Sequence, residues 1–114
     1  VLEMNSMFAY AETFNGDISG WDISGVQLLS GMFWNATTFN ADISNWDVSG
    51  ATAMGSMFKN APAFNRDISS WVVSNVESFD AIFQNALSFN ADIGNWNFGE
   101  IWLKYSSLKQ FERL

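Results

Sequence analysis

The 114-residue chain is 48% apolar and 17% aromatic, enough for one core, while one Pro and eight Gly exclude a collagen-like or disordered composition. With no Cys and no His, it has no disulfide, no thiolate nucleophile, no zinc–thiolate site and no imidazole base. Twelve acidic against five basic residues, net −7, disfavour contact with a nucleic-acid phosphate backbone.

From the first residues the chain repeats itself. Phe8, Phe33, Phe58 and Phe83 stand 25 apart, as do Phe14, Phe39, Phe64 and Phe89. Ala11, Asn15, Asp17, Ile18 and Trp21 also recur in all four copies. The copies run 1–25, 26–50, 51–75 and 76–100, with a partial fifth coil or C-terminal cap over 101–114. A fixed period of this length predicts a solenoid. Because Val1 opens in mid-pattern, further coils or a partner are expected at that end.

Each copy changes spacing partway. Val26, Leu29, Met32, Phe33 and Ala36 fall on one face of a 3.6-residue period, which predicts a short helix in the first half of a copy. Ser24 with Gln27, and Ser74 with Glu77, match a capping box at its start. Asn35, Asn60 and Asn85 suit a left-handed residue at its end. The second half, Asp17 to Ile23, alternates like a strand, with a bend expected near Ser19-Gly20 so that Ile18 and Trp21 both point inward.

One such coil cannot stand alone, since ordering it costs more than its few aromatics return on burial. Stacked coils remove the deficit by sharing a core. The expected fold is therefore α/β: a leucine-rich-repeat-like solenoid of four coils, each a short parallel strand plus a short helix, closed by a C-terminal capping helix. Residues 101–114 carry three cations and one anion against two cations and eleven anions before them, and Phe111 fills a slot held by Ala in each earlier copy. Both features fit a cap; a membrane-surface segment is the alternative for Ile101, Trp102, Leu103, Lys104, Tyr105 and Leu108. No run of 18 apolar residues occurs, so no membrane span is predicted.

The assembled pattern, "MFxxAxxFNxDISxWDxSxV", resembles the bacterial surface protein repeat of 25 to 26 residues found in mycoplasma-type lipoproteins and related to BspA-like leucine-rich repeats. "MFWNATTFNADISNWDVSG" and "MFKNAPAFNRDISSWVVSN" carry it best, whereas the fourth copy departs at Ile82, Gly94 and Asn97. The resemblance implies a cell-surface or extracellular setting and a role in adhesion or protein interaction. It supplies no catalytic residues.

Asp17, Asp42, Asp67 and Asp92 should form a column, and successive carboxylates could hold Ca²⁺ between coils. One carboxylate per coil is sparse for that purpose, and acceptance of turn or neighbouring-strand amides, beside a buried Asn15 amide ladder, is the simpler reading. The recurring Trp21, Trp46, Trp71 and Trp96 read as core. Trp34 does not recur: its slot holds Ala9, Lys59 and Gln84 elsewhere, which makes it a surface residue and a weak candidate for partner contact, together with Lys59 and Arg66. Asn35-Ala36-Thr37 fits a glycosylation sequon, but the slot recurs without one.

No catalytic site is expected. The pairs Asp17/Asp22 and Asp42/Asp47 are a loose cue for a carboxylate dyad, and Ser24, Ser49 and Ser74 have no His to activate them. The expected function is a non-catalytic protein-interaction or adhesion module using the variable slots 9, 16 and 20, with no cofactor. A small structural subunit packed permanently in a larger assembly is the alternative, and a calcium-stabilised adhesion repeat the second.

Overall fold

A computed structural model describes residues 2–96. The copies lie on one another in register, but the expected α/β solenoid, with a strand and a helix in each coil, is not what forms. Among the described residues there is no helix, and the sole strands are β1 (Leu2–Glu3) and β2 (Val26–Leu28). They pair in parallel, Leu2 with Val26 and Glu3 with Leu28, across an irregularity in register. Single parallel bridges, Leu28 to Ala53 and Ala53 to Ser78, continue the line through the later coils. The extended pairing thus sits at the start of each copy, where a helix was expected, and not over Asp17–Ile23. The expected capping helix lies outside the described residues.

The half of the copy read as helix is a chain of turns. Its amides divide their work by alternation. In the second coil, the N–H groups of Leu29, Gly31, Phe33 and Asn35 donate to Ala53, Gly55, Met57 and Lys59 of the next coil, at 2.8–2.9 Å. The intervening Met32, Trp34 and Ala36 amides close turns on residues three earlier, Leu29, Gly31 and Phe33. A helix would have sent these amides to carbonyls four residues back.

Two residues per coil enforce this arrangement. Ser6 and Tyr10, Gly31 and Asn35, Ser56 and Asn60, and Ala81 and Asn85 all have φ between 56° and 64°. A left-handed residue ends a helix, so two of them four residues apart leave no room for one. The Asn residues do occupy the left-handed region, but between turns instead of after a helix.

The core geometry adds a second reason. Phe8, Phe33, Phe58 and Phe83 stack at centroid spacings of 5.6, 5.7 and 5.8 Å, with interplanar angles of 3–8°. Phe14, Phe39, Phe64 and Phe89 form a parallel column at 6.1, 5.8 and 5.8 Å. Helices pack with axes about 8–10 Å apart, so one helix per coil cannot keep to a stack this tight. A layer of turns is thin enough.

The second half of each coil bends as the spacing of Ile18 and Trp21 requires. Trp21, Trp46, Trp71 and Trp96 donate their backbone N–H to Ile18, Ile43, Ile68 and Ile93, closing a turn at 3.0–3.1 Å in every copy. That turn brings Ile and Trp to the same side, where the buried core runs without interruption from Ile18 to Trp96. No polar or charged residue among those described is buried within it.

Candidate functional site

The Asp column is exposed along its length, and its oxygens face their own coil. Asp17 accepts the Ser19 amide at 3.0 Å and the Ser19 hydroxyl at 2.7 Å. Asp22 does the same with Ser24, and Asp47 with Ser49. Asp42, Asp67 and Asp92 accept the amides of Ser44, Ser69 and Gly94 at 2.9, 2.9 and 2.8 Å. The repeated Asp-x-Ser is therefore an Asx turn, in which a short acidic side chain substitutes for a backbone acceptor.

These bonds favour the charged form. The serine hydroxyl first, and the same serine's amide next, hold Asp17, Asp22, Asp42, Asp47 and Asp67 below the ordinary carboxylate range. Repulsion from Asp42 acts in the opposite direction on Asp17 and Asp67, as the smallest influence on either. Among the described residues no three acidic side chains gather closely enough to hold a metal ion. Ser24, expected to cap a helix, instead gives its hydroxyl to Asp22. The signal for this was the Asp-x-Ser spacing itself, present five times.

Ties between coils come from Asn and Trp. The Asn15 carboxamide oxygen accepts the Asn40 amide at 2.7 Å, Asn40 accepts Asn65, and Asn65 accepts Asn90, both at 2.8 Å. This ladder runs along the surface, with Asn40 alone half-buried, and not in the core as expected. Each buried Trp reaches back one coil: the Nε1–H groups of Trp46, Trp71 and Trp96 donate to the carbonyls of Ile18, Ile43 and Ile68 at 3.0, 3.1 and 3.0 Å.

The residues singled out for partner contact fall into two places. Trp34 and Lys59 are half-buried neighbours, with Lys59 Nζ 5.4 Å from the Trp34 ring centroid and the Tyr10 ring 5.5 Å away on a tilted approach. Trp34 Nε1 is buried there without a hydrogen-bond partner. Arg66 is exposed and donates from Nε to the Asn40 carbonyl at 2.6 Å, bracing two coils on the Asn-ladder side. The sequon residue Asn35 is half-buried and left-handed, and Thr37 bonds to the Glu12 carbonyl.

Slot 20 differs from both. Gly20, Asn45, Ser70 and Asn95 are exposed in all four coils, beside the Asp column. A side chain built on Gly20 would meet nothing within 4 Å.

A period of 25 with this Asp-Ile-Ser and Trp pattern matches a known family model. The family is described as "Mycoplasma protein of unknown function, DUF285", and the match covers residues 1–112. The chain belongs to that family. Its match agrees with the mycoplasma-type repeat seen in the sequence. No curated protein and no solved structure matches the chain. Among the described residues of this DUF285 member, no helix is long and apolar enough to cross a membrane.

Proposed function

We propose that this DUF285 chain is a non-catalytic protein-interaction or adhesion module whose contact surface is the exposed side carrying slot 20. One contrast carries the reading. Residues that recur in the later coils are buried, or committed to bonds that hold turns and coils in place, whereas slot 20 is exposed in every described coil, holds three residue types in four copies, and makes one bond between coils, from the Ser70 hydroxyl to the Ser44 carbonyl at 3.3 Å. A rigid backbone with a row of exposed, exchangeable side chains suits recognition of another macromolecule. The Asp rows on either side, Asp17, Asp42, Asp67 and Asp92 before it and Asp22 and Asp47 after it, favour a partner with basic groups at the rim. The cell-surface setting rests on the resemblance to bacterial surface repeats.

The test is adhesion of beads coated with the purified chain to cultured cell layers. A variant with Asn45, Ser70 and Asn95 each replaced by Arg should lose most adhesion while its melting temperature stays within a few degrees of the parent. Equal adhesion by parent and variant would remove slot 20 from the contact.

A further inference from the structure

Asn15 and Gly16 form the sole Asn-Gly pair in the chain, and both residues are exposed. In the later coils the same slots hold Asn40-Ala41, Asn65-Arg66 and Asn90-Ala91. The carboxamide carbon of an asparagine lies within reach of the next residue's backbone nitrogen, so the two groups can close a ring without any second molecule. A side chain on that next residue obstructs the approach. Glycine, with no Cβ, leaves it open.

The fold leaves both reacting groups available. Among the described residues the Gly16 amide has no acceptor, and neither have the Asp17 and Ile18 amides after it. The backbone amides of Ala41, Arg66 and Ala91 are equally without one, so the open amide belongs to the path that every coil takes through this slot. On the Asn15 side, the carboxamide oxygen accepts the Asn40 amide at 2.7 Å, while Nδ2 donates to no described residue. A bond donated to the oxygen draws electron density from the carboxamide carbon, and an unbonded Nδ2 is free to leave.

We infer that Asn15-Gly16 is a self-modification site, at which the folded chain converts its own Asn15 carboxamide into a carboxylate with water as the co-reactant. The Gly16 nitrogen bonds to Asn15 Cγ and gives up its proton. The Cγ–Nδ2 bond breaks, and Nδ2 leaves with that proton as ammonia. The cyclic imide that results joins the Gly16 nitrogen to both carbonyl carbons of Asn15. Water then opens it, its hydroxyl going to the carbon and its hydrogen to the Gly16 nitrogen. Cleavage at Cγ restores the original main chain with aspartate at 15, whereas cleavage at the main-chain carbonyl gives isoaspartate, with an added methylene in the backbone. Nothing is oxidised or reduced, and either product carries one further negative charge. Asn40, Asn65 and Asn90 precede residues with a side chain and keep their amides. Slot 20 has no part in the step, so the two proposals fail separately.

The test incubates the folded full chain in mildly alkaline buffer and reads positions 15, 40, 65 and 90 in a proteolytic digest by mass spectrometry, with fragmentation that separates aspartate from isoaspartate. Acid at position 15 should accumulate at least about tenfold faster than at the other three, and Gly16→Ala should bring it down to their rate. Alanine already fills this slot at Ala41 and Ala91, and a Cβ at position 16 would meet the Phe14 ring first, at 3.0 Å. A melting temperature within a few degrees of the parent checks that the variant folds. The comparison of four positions within the parent needs no variant and stands without it. Equal rates at the four positions overturn the inference. So does acid at position 15 that forms in urea but not in the folded chain, or a folded Gly16→Ala chain that reacts at the parent rate.

Discussion

The first and second coils share the pattern of their core residues but not its burial. Trp21 and Trp46 close the same turn on Ile18 and Ile43, and Phe8 and Phe33 stack face to face on Phe14 and Phe39 at 4.2 and 3.9 Å. Even so, Trp46 is enclosed and bonded to Ile18, while Trp21 stands partly in solvent. Local sequence therefore sets the path of each coil, and the preceding coil supplies the burial. Stability in this fold is a property of junctions between coils, as nearest-neighbour accounts of repeat proteins require.

The sharpest way to break that comparison is a pair of truncations. Phe33→Ala should cost about 3–5 kcal/mol in urea unfolding, and Phe8→Ala about half as much, because Phe8 has a neighbouring coil on one side only. Equal costs would show that burial does not depend on the neighbour. Next in size, Trp46→Phe removes the Nε1–H bond to the Ile18 carbonyl, which keeps the Trp21 amide, and should cost about 0.5–1.5 kcal/mol, whereas Trp21→Phe should cost under about 0.5 kcal/mol.

Backbone substitutions sharpen the same comparison within the turns. Ala81 holds a left-handed conformation at φ 58° that Asn85 holds more readily, so Ala81→Gly should stabilise by about 0.5–1 kcal/mol and Asn85→Ala should destabilise by a similar amount. Thermal melts of the two variants check the opposite signs. The smallest effect is one of pH. The Asx-turn carboxyls have native pKa values below those of the unfolded chain, so their contribution is complete above about pH 3.9 and is lost as pH falls through the lowered native values. Urea midpoints measured from neutral to acid pH should fall in that window, and replacing Ser19, Ser24 and Ser49 by Ala should reduce the fall.

Much of this molecule was legible in its sequence. The identity of the columns followed from Phe8, Phe14, Ile18 and Trp21 recurring at 25, and the bend after Ile18 followed from a three-residue gap in an alternating stretch. The helix did not survive, for a physical reason. Apolar residues at Val26, Leu29, Met32, Phe33 and Ala36 point to one side in a helix, and equally in a run of turns that close every two or three residues. Gly31 within that run, and a left-handed Asn four residues later, were the features that separated the two readings. The Asp rows, for which acceptance of turn amides is the simpler reading of the sequence, accept the amides of Ser19, Ser44 and Ser69, and the Ser19 hydroxyl besides. Slot 20 could be read from variability alone, but its exposure in every coil required the turn geometry.

The account depends most on where the amides of 26–36 donate. Through-hydrogen-bond scalar couplings in an isotope-labelled sample report this directly. The structure predicts a correlation from the Phe33 amide nitrogen to the Met57 carbonyl carbon, matching the 2.9 Å bond between them. A correlation from Phe33 to Leu29 would mean that a helix fills this half of the coil after all, and would contradict the stacked turns.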